Sequence, residues 1–188
     1  MLAYVFWHWP NADQRQAEYE RIQREFHSAL AGSGPRGFLR SVVFRVEGQA
    51  RWLGGSPAYS DWYLVSDSAA LDPLNVAAVS GVCEAPHAEV ARAMAAGAGS
   101  LLTLHADAAP APDLAAARHM TWLTKPRPTP YADFYAAVPS GSGATLWRRT
   151  MVLGPTPEFT VLTPAEPPRL DQFQPLKLAL TPIWPESS

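Results

Sequence analysis

A histidine between two tryptophans, Trp7-His8-Trp9, and an aspartate followed by two aromatics, Asp61-Trp62-Tyr63, are the residues best suited to chemistry in this chain. An imidazole beside a carboxylate can act as a general base, and aromatic side chains around the pair would wall a pocket for a flat substrate. His8, Asp61 and Tyr63 are therefore the candidate catalytic residues, with Trp7, Trp9 and Trp62 as candidate binding residues. The plainer reading makes Trp7 and Trp62 core and leaves His8 at a strand end.

Trp147-Arg148-Arg149 forms a second constellation. In a strand, alternation sends Arg148 and Arg149 to opposite faces, so one of them could present a guanidinium to a carboxylate or phenolate ligand. The bland account pairs both with nearby acids or leaves them in solvent.

The five histidines are His8, His27, His87, His105 and His119. None forms an HxH or a helical pair at four-residue spacing, so no metal motif is present. Haem needs a single proximal histidine; His87, in the second helical region, is a candidate for one, though the sequence does not single it out. Cys83 is the single cysteine, which excludes an internal disulfide and a thiolate zinc cage. Flanked by Glu84, it is expected to be an inert thiol. No glycine-rich phosphate loop and no GxSxG elbow occurs, and Ser140 to Gly143 reads as a turn.

The elements that must position these residues follow from periodicity. Ala3 to Trp9 alternates aromatic and aliphatic residues and stops at Pro10, which makes a strand with Tyr4, Phe6 and His8 on one face and Val5, Trp7 and Trp9 on the other. Asn11 or Asp13 can cap a helix running to about Ala31, where Tyr19, Ile22, Phe26 and Leu30 make an apolar stripe. Residues 37–48 and 59–67 read as strands. Helical pieces are expected over about 68–80 and 86–96, the second stopped by Gly97 and Gly99, with a strand from Leu101 to Asp107. The order is β-α-β-β-α-β, the ferredoxin-like pattern, in which the first and third strands are central neighbours.

A low-complexity linker spans 108–117, and the pattern then begins again. Residues 118–126 supply a strand, Thr129-Pro130 opens a short helix, and two further strands lie over 143–155 and 158–164. Only one helical turn fits before the closing strand, Pro175 to Trp184. The expectation is an α+β fold of two ferredoxin-like halves, 1–107 and 118–188, with antiparallel sheets packed into a barrel-like core and the second half degraded in its last helix.

This repeat resembles the dimeric α/β-barrel superfamily, in which two ferredoxin-like halves pack sheet against sheet as a homodimer or within one chain. The branches include cofactor-independent quinol-type monooxygenases, haem enzymes resembling chlorite dismutase, haem-degrading enzymes, EthD-like proteins and stress-responsive barrel proteins. The resemblance implies a core already complete in one chain, as monomer or homodimer. Fold does not choose among these activities. Three classes stay open: an enzyme binding or converting a small aromatic molecule without a metal, with His8 and Tyr63 as acid and base; a non-catalytic ligand-binding or structural barrel; and a haem protein.

Composition narrows the partners. Of the 188 residues, 15 are Lys or Arg and 17 Asp or Glu, giving a net charge of −2 with no basic cluster, which argues against nucleic acid. No apolar run approaches the ~20 residues that span a bilayer. The N-terminus lacks a basic leader and reads as a first strand, and the lone cysteine suits a reducing compartment, so a cytoplasmic location is expected.

Overall fold

The structure, a computed structural model, describes residues 1–105, 112–138, 143–151, 154–167 and 169–185. Its elements run β1 (Leu2–Pro10), α1 (Gln16–Ser33), β2 (Phe38–Glu47), β3 (Ala58–Val65), α2 (Leu71–Ala78), α3 (Glu84–Ala93), β4 (Met94–Leu104), β5 (His119–Leu123), α4 (Tyr131–Ala137), β6 (Thr145–Arg149), β7 (Phe159–Thr163) and β8 (Leu176–Trp184). The eight strands close into a barrel in the order β1-β3-β2-β8-β5-β7-β6-β4. Every neighbouring pair is antiparallel. Each run of four strands keeps the ferredoxin-like order, and the sheets join through β2–β8 and β4–β6. The seams are short, Leu102–Leu104 of β4 against β6 and Val43–Glu47 of β2 against β8.

Alternation along each strand divides the core in two. One face points into the barrel, which is filled by Val5, Trp7, Phe44, Trp62, Met120, Trp122, Trp147 and Leu162, with Trp52 packed among them. Trp7, Trp62, Trp122 and Trp147 are completely buried. Truncating any of them to alanine would cost about 3–5 kcal/mol. The other face of the first four strands lies under α1, α2 and α3, where Phe26, Leu30, Tyr63, Val65 and Leu74 pack together. Covered on both faces, all of β3 is buried. The second half is thinner: α4 and a 3₁₀ turn, Asp171–Phe173, cover Leu123, Phe159 and Val161 with Phe134 and Phe173.

Two boundaries differ from the sequence reading. Helix α1 begins at Gln16, with Arg15 in the N-cap position and no side-chain cap. Asn11 is engaged elsewhere: its backbone N–H donates to the Ala93 carbonyl and its side-chain amide to that of Arg92, tying the end of β1 to the end of α3. The second correction concerns Gly97 and Gly99, which stop no helix. Helix α3 ends at Ala93, and both glycines lie inside β4, opposite His8 and Phe6. They serve packing, because a Cβ at Gly97 would stand 2.4 Å from the Phe6 ring and one at Gly99 3.1 Å from the Tyr4 ring. An Ala/Gly run with no side chains to read gives no strand signal; the ring of a neighbouring strand supplies the missing surface. The linker expected over 108–117 lies in part outside the described residues, as does most of the turn at 140–143; the linker's end forms a 3₁₀ turn at Leu114–Ala116.

Candidate functional site

The register of β1 against β3 sets Phe6 opposite Asp61 and His8 opposite Tyr59. His8 and Asp61 are thus diagonal neighbours on one face, within reach of long side chains. His8 Nε2 donates to Asp61 Oδ1 at 2.9 Å, and Tyr63 Oη donates to Asp61 Oδ2 at 3.1 Å. A third donor reaches the same carboxylate from α1, His27 Nε2 at 3.3 Å from Oδ2. The far side of each imidazole meets a hydroxyl: Tyr19 Oη lies 2.6 Å from His8 Nδ1, and Ser41 Oγ lies 2.8 Å from His27 Nδ1. With carboxylate oxygens only accepting, each histidine carries a hydrogen on Nε2 and donates it to Asp61.

All of these groups are buried, Asp61 at 2% exposure and both histidines at 1% or less. Burial alone would raise the Asp61 pKa, but the charge of His8 and the hydrogen bond and charge of His27 outweigh it and hold the carboxyl well below the usual range. Burial, followed by the charge of Asp61, pushes the Tyr63 and Tyr19 hydroxyls far above theirs. Both stay neutral and act as hydrogen-bond donors. Tyr59 stacks on His8 at 5.6 Å between ring centroids, and Phe6 on its other side at 5.5 Å. The Tyr59 hydroxyl donates to Glu20, which Arg45 also holds.

Asp61 and Tyr63 form the floor of a cleft of about 480 Å³ between the sheet and the helices. Its walls include Tyr4 and Phe6 from β1, Phe26 from α1, Leu74, Asn75 and Ala78 from α2, His87, Val90 and Ala91 from α3, and Met94. The size and mostly apolar lining are those of a small-molecule pocket with few polar groups. A second, open cleft of about 610 Å³ runs along the 48–56 loop, with Arg51 its single charged lining residue. It lies apart from the buried histidines.

The remaining sequence candidates lie elsewhere. Trp7 and Trp62 point into the barrel, where Trp7 packs on Trp52 and Trp122, and Trp62 on Trp147. Trp9 covers the Gly54-Gly55 loop. Arg148 is on the outer face of β6, paired with Glu158 at 2.9 Å and stacked 4.6 Å over Tyr131. Arg149 donates to the carbonyls of Gly154 and Thr156. None of these five lines the cleft. His105 stacks on Tyr135, and Cys83 is buried against α1.

Tyr19, His27 and Ser41 complete the cluster and were not singled out by pattern. The signal for the first two was present, since Tyr19, Gln23 and His27 recur every four residues on the buried stripe of α1. A buried histidine on an apolar stripe demands a partner. Gln23 itself is fully buried; its amide makes no hydrogen bond of ordinary length, and its nearest polar interaction is with the Tyr19 hydroxyl.

His87 is the one cleft histidine, partly buried with its ring edge-on to Phe26 at 5.5 Å. Haem would need cationic partners for its propionates as well, and the described lining contains neither Lys nor Arg. The floor offered to it is a carboxylate. These residues do not fit haem. Among the described residues no group of three or more His, Cys, Asp or Glu side chains is placed to hold a metal ion. No described helix is long and apolar enough to cross a membrane.

No protein-family model matches this chain, and no curated protein does. Among solved structures it is similar to a candidate monooxygenase from Lactobacillus acidophilus NCFM, at a TM-score of 0.52 and 9% identity over 97% of this chain and 94% of that one. It is also similar to a candidate chlorite dismutase, at 0.49 and 12% over 96% and 95%, and to an uncharacterised NIPSNAP domain protein from Burkholderia xenovorans, at 0.40 and 16% over 60% and 100%. Strand order and the first of these likenesses make the fold an α+β barrel of two ferredoxin-like antiparallel sheets that come from one chain.

Proposed function

We propose that the cleft above Asp61 binds a small aromatic molecule bearing one hydrogen-bond donor, and that Asp61, His8 and Tyr63 act together on that donor without a metal. The observation that carries this reading is a carboxylate on the floor of an aromatic-walled cleft, with both oxygens aligned by buried donors. A carboxylate has about four acceptor positions. Three are filled from below, which leaves one for a ligand. Asp61 is the contact group; His8, which does not line the cleft, positions it from behind.

A carboxylate held this low is a weak base. It orients and polarises a bound donor better than it keeps the donor's proton, so conversion would require a ligand already acidic at that position. Two histidines and an aspartate gathered beneath a cleft of ligand size support this reading over a purely structural barrel. The test is calorimetric titration with 2-naphthylmethanol. Wild type should bind, Asp61→Asn should bind about tenfold more weakly for one hydrogen bond lost or reversed, and Ala78→Trp, placed at the cleft wall, should abolish binding. No binding to the wild type, or equal binding to all three proteins, would refute the reading.

A further inference from the structure

Charge, more than shape, separates the donors that this cleft could accept. Asp61 is held ionised by the donors converging on it, and its carboxylate belongs to the cleft lining. It is the negative charge that a ligand in the cleft meets. Around it from β3 and β1 stand Tyr59, Tyr63 and Tyr4, all neutral phenols, and from α1 Tyr19 and the uncharged Gln23 amide. Glu20 is already engaged by Arg45 and Arg24 outside the cluster. Helix α2 contributes Asn75 to the cleft, and α3 contributes His87. Among the described lining residues Asp61 is the one formal charge, with no Lys or Arg to answer it.

The walls beside it are the rings of Tyr4, Phe6, Phe26 and Tyr63. Tyr4 and Tyr63 lie 6.0 Å apart between centroids at an interplanar angle of 27°. Aromatic faces beside a carboxylate suit a cation, which gains from the ring quadrupoles and makes a charge-assisted hydrogen bond with the free acceptor position. A neutral hydroxyl would leave the buried negative charge unanswered, and an anion would be repelled by it.

We propose that the ligand of this cleft is an aromatic amine bound as its ammonium ion, with the nitrogen on Asp61 and the rings against Tyr4, Phe6 and Tyr63. This deepens the reading of the cleft given above and rests on it. It assigns Asp61 a second role, as the group that selects a cation over its uncharged isostere.

Three probes of one shape separate the possibilities at neutral pH: 2-naphthylmethylamine, 2-naphthylmethanol and 2-naphthoate, titrated into the full chain by calorimetry. The amine should bind about tenfold more tightly than the alcohol, and the naphthoate should not bind. In Asp61→Asn the amine and the alcohol should become equal. Alcohol binding as tight as the amine, or any comparable binding of naphthoate, overturns the assignment while leaving the aromatic cleft in place. If neither amine nor alcohol binds, the cleft reading itself fails and this one with it. The wild-type comparison decides alone should the Asn variant not fold.

Discussion

His8 Nε2 and Asp61 Oδ1 are 2.9 Å apart on a diagonal of the β1–β3 ladder, and each belongs to a buried side chain. The antiparallel direction makes this pair, because it brings the late residues of β1 beside the early residues of β3. A slip of one residue in register would turn every outward side chain of β1 into the barrel. The Trp7 and Trp62 indoles, which fill the barrel from the other face, hold the register and so hold the site.

Asp61→Asn should destabilise the fold, since it puts an amide where three donors converge. Leaving a buried network without its acceptor costs about 3 kcal/mol. The effect has a defined pH dependence. Because the folded protein holds Asp61 below its ordinary range, the folded state binds fewer protons than the unfolded chain in acid, and stability rises with pH there. The wild type's advantage should be complete above about pH 4 and shrink as the pH falls through the lower, folded value. Urea unfolding of both proteins between acid and neutral pH measures it; a difference independent of pH would contradict the ionised network.

Gly97→Ala should destabilise by about 1–3 kcal/mol, the usual range for overpacking. The new methyl would meet the tip of the Phe6 ring at 2.4 Å and the Trp7 carbonyl at 2.8 Å. Displacing Phe6 also disturbs its stack on His8, so probe affinity should fall together with stability. Gly32→Ala is the matched control: it is helical, a methyl there meets nothing within 4 Å, and it should stabilise by up to about 1 kcal/mol. Thermal unfolding distinguishes the two signs.

The strand order and the repeat were legible because eight strands announce themselves through alternation and Pro or Gly stops, and because one half repeats the other. The His8–Asp61–Tyr63 set was legible in part: central-neighbour strands put these residues within reach, but their meeting depended on a register that pattern does not fix. What pattern did not show was the side of the sheet that matters. Trp7 and Trp62 look as suited to a pocket as Tyr4 and Phe6 do, and only barrel closure sends them inward. Arg148 and Arg149 were placed in the correct strand, but their partners, Glu158 and the 154–156 carbonyls, come from a loop whose return path pattern does not specify. His27, Tyr19 and Ser41 join through a helix packing onto the sheet, a tertiary contact with no local signature.

Gln23→Met should raise stability by about 1 kcal/mol, since it replaces a buried amide that makes no hydrogen bond of ordinary length by an apolar side chain of similar shape. Chemical unfolding of the variant reads this directly. A loss of stability would mean that the amide has a partner inside the fold and belongs to the Tyr19–His8 network.

The most direct test of the cleft uses the chain's own methionines, labelled on their methyl carbons and followed by NMR as 2-naphthylmethanol is added. Met94 lines the cleft, Met120 is sealed in the barrel, Met151 is exposed beyond β6, and Met1 packs against the barrel core. The account predicts that the Met94 methyl shifts with ring-current size while the other three hold still. Saturable binding that leaves Met94 unmoved, or that moves Met120 in its place, would put the ligand somewhere other than above Asp61.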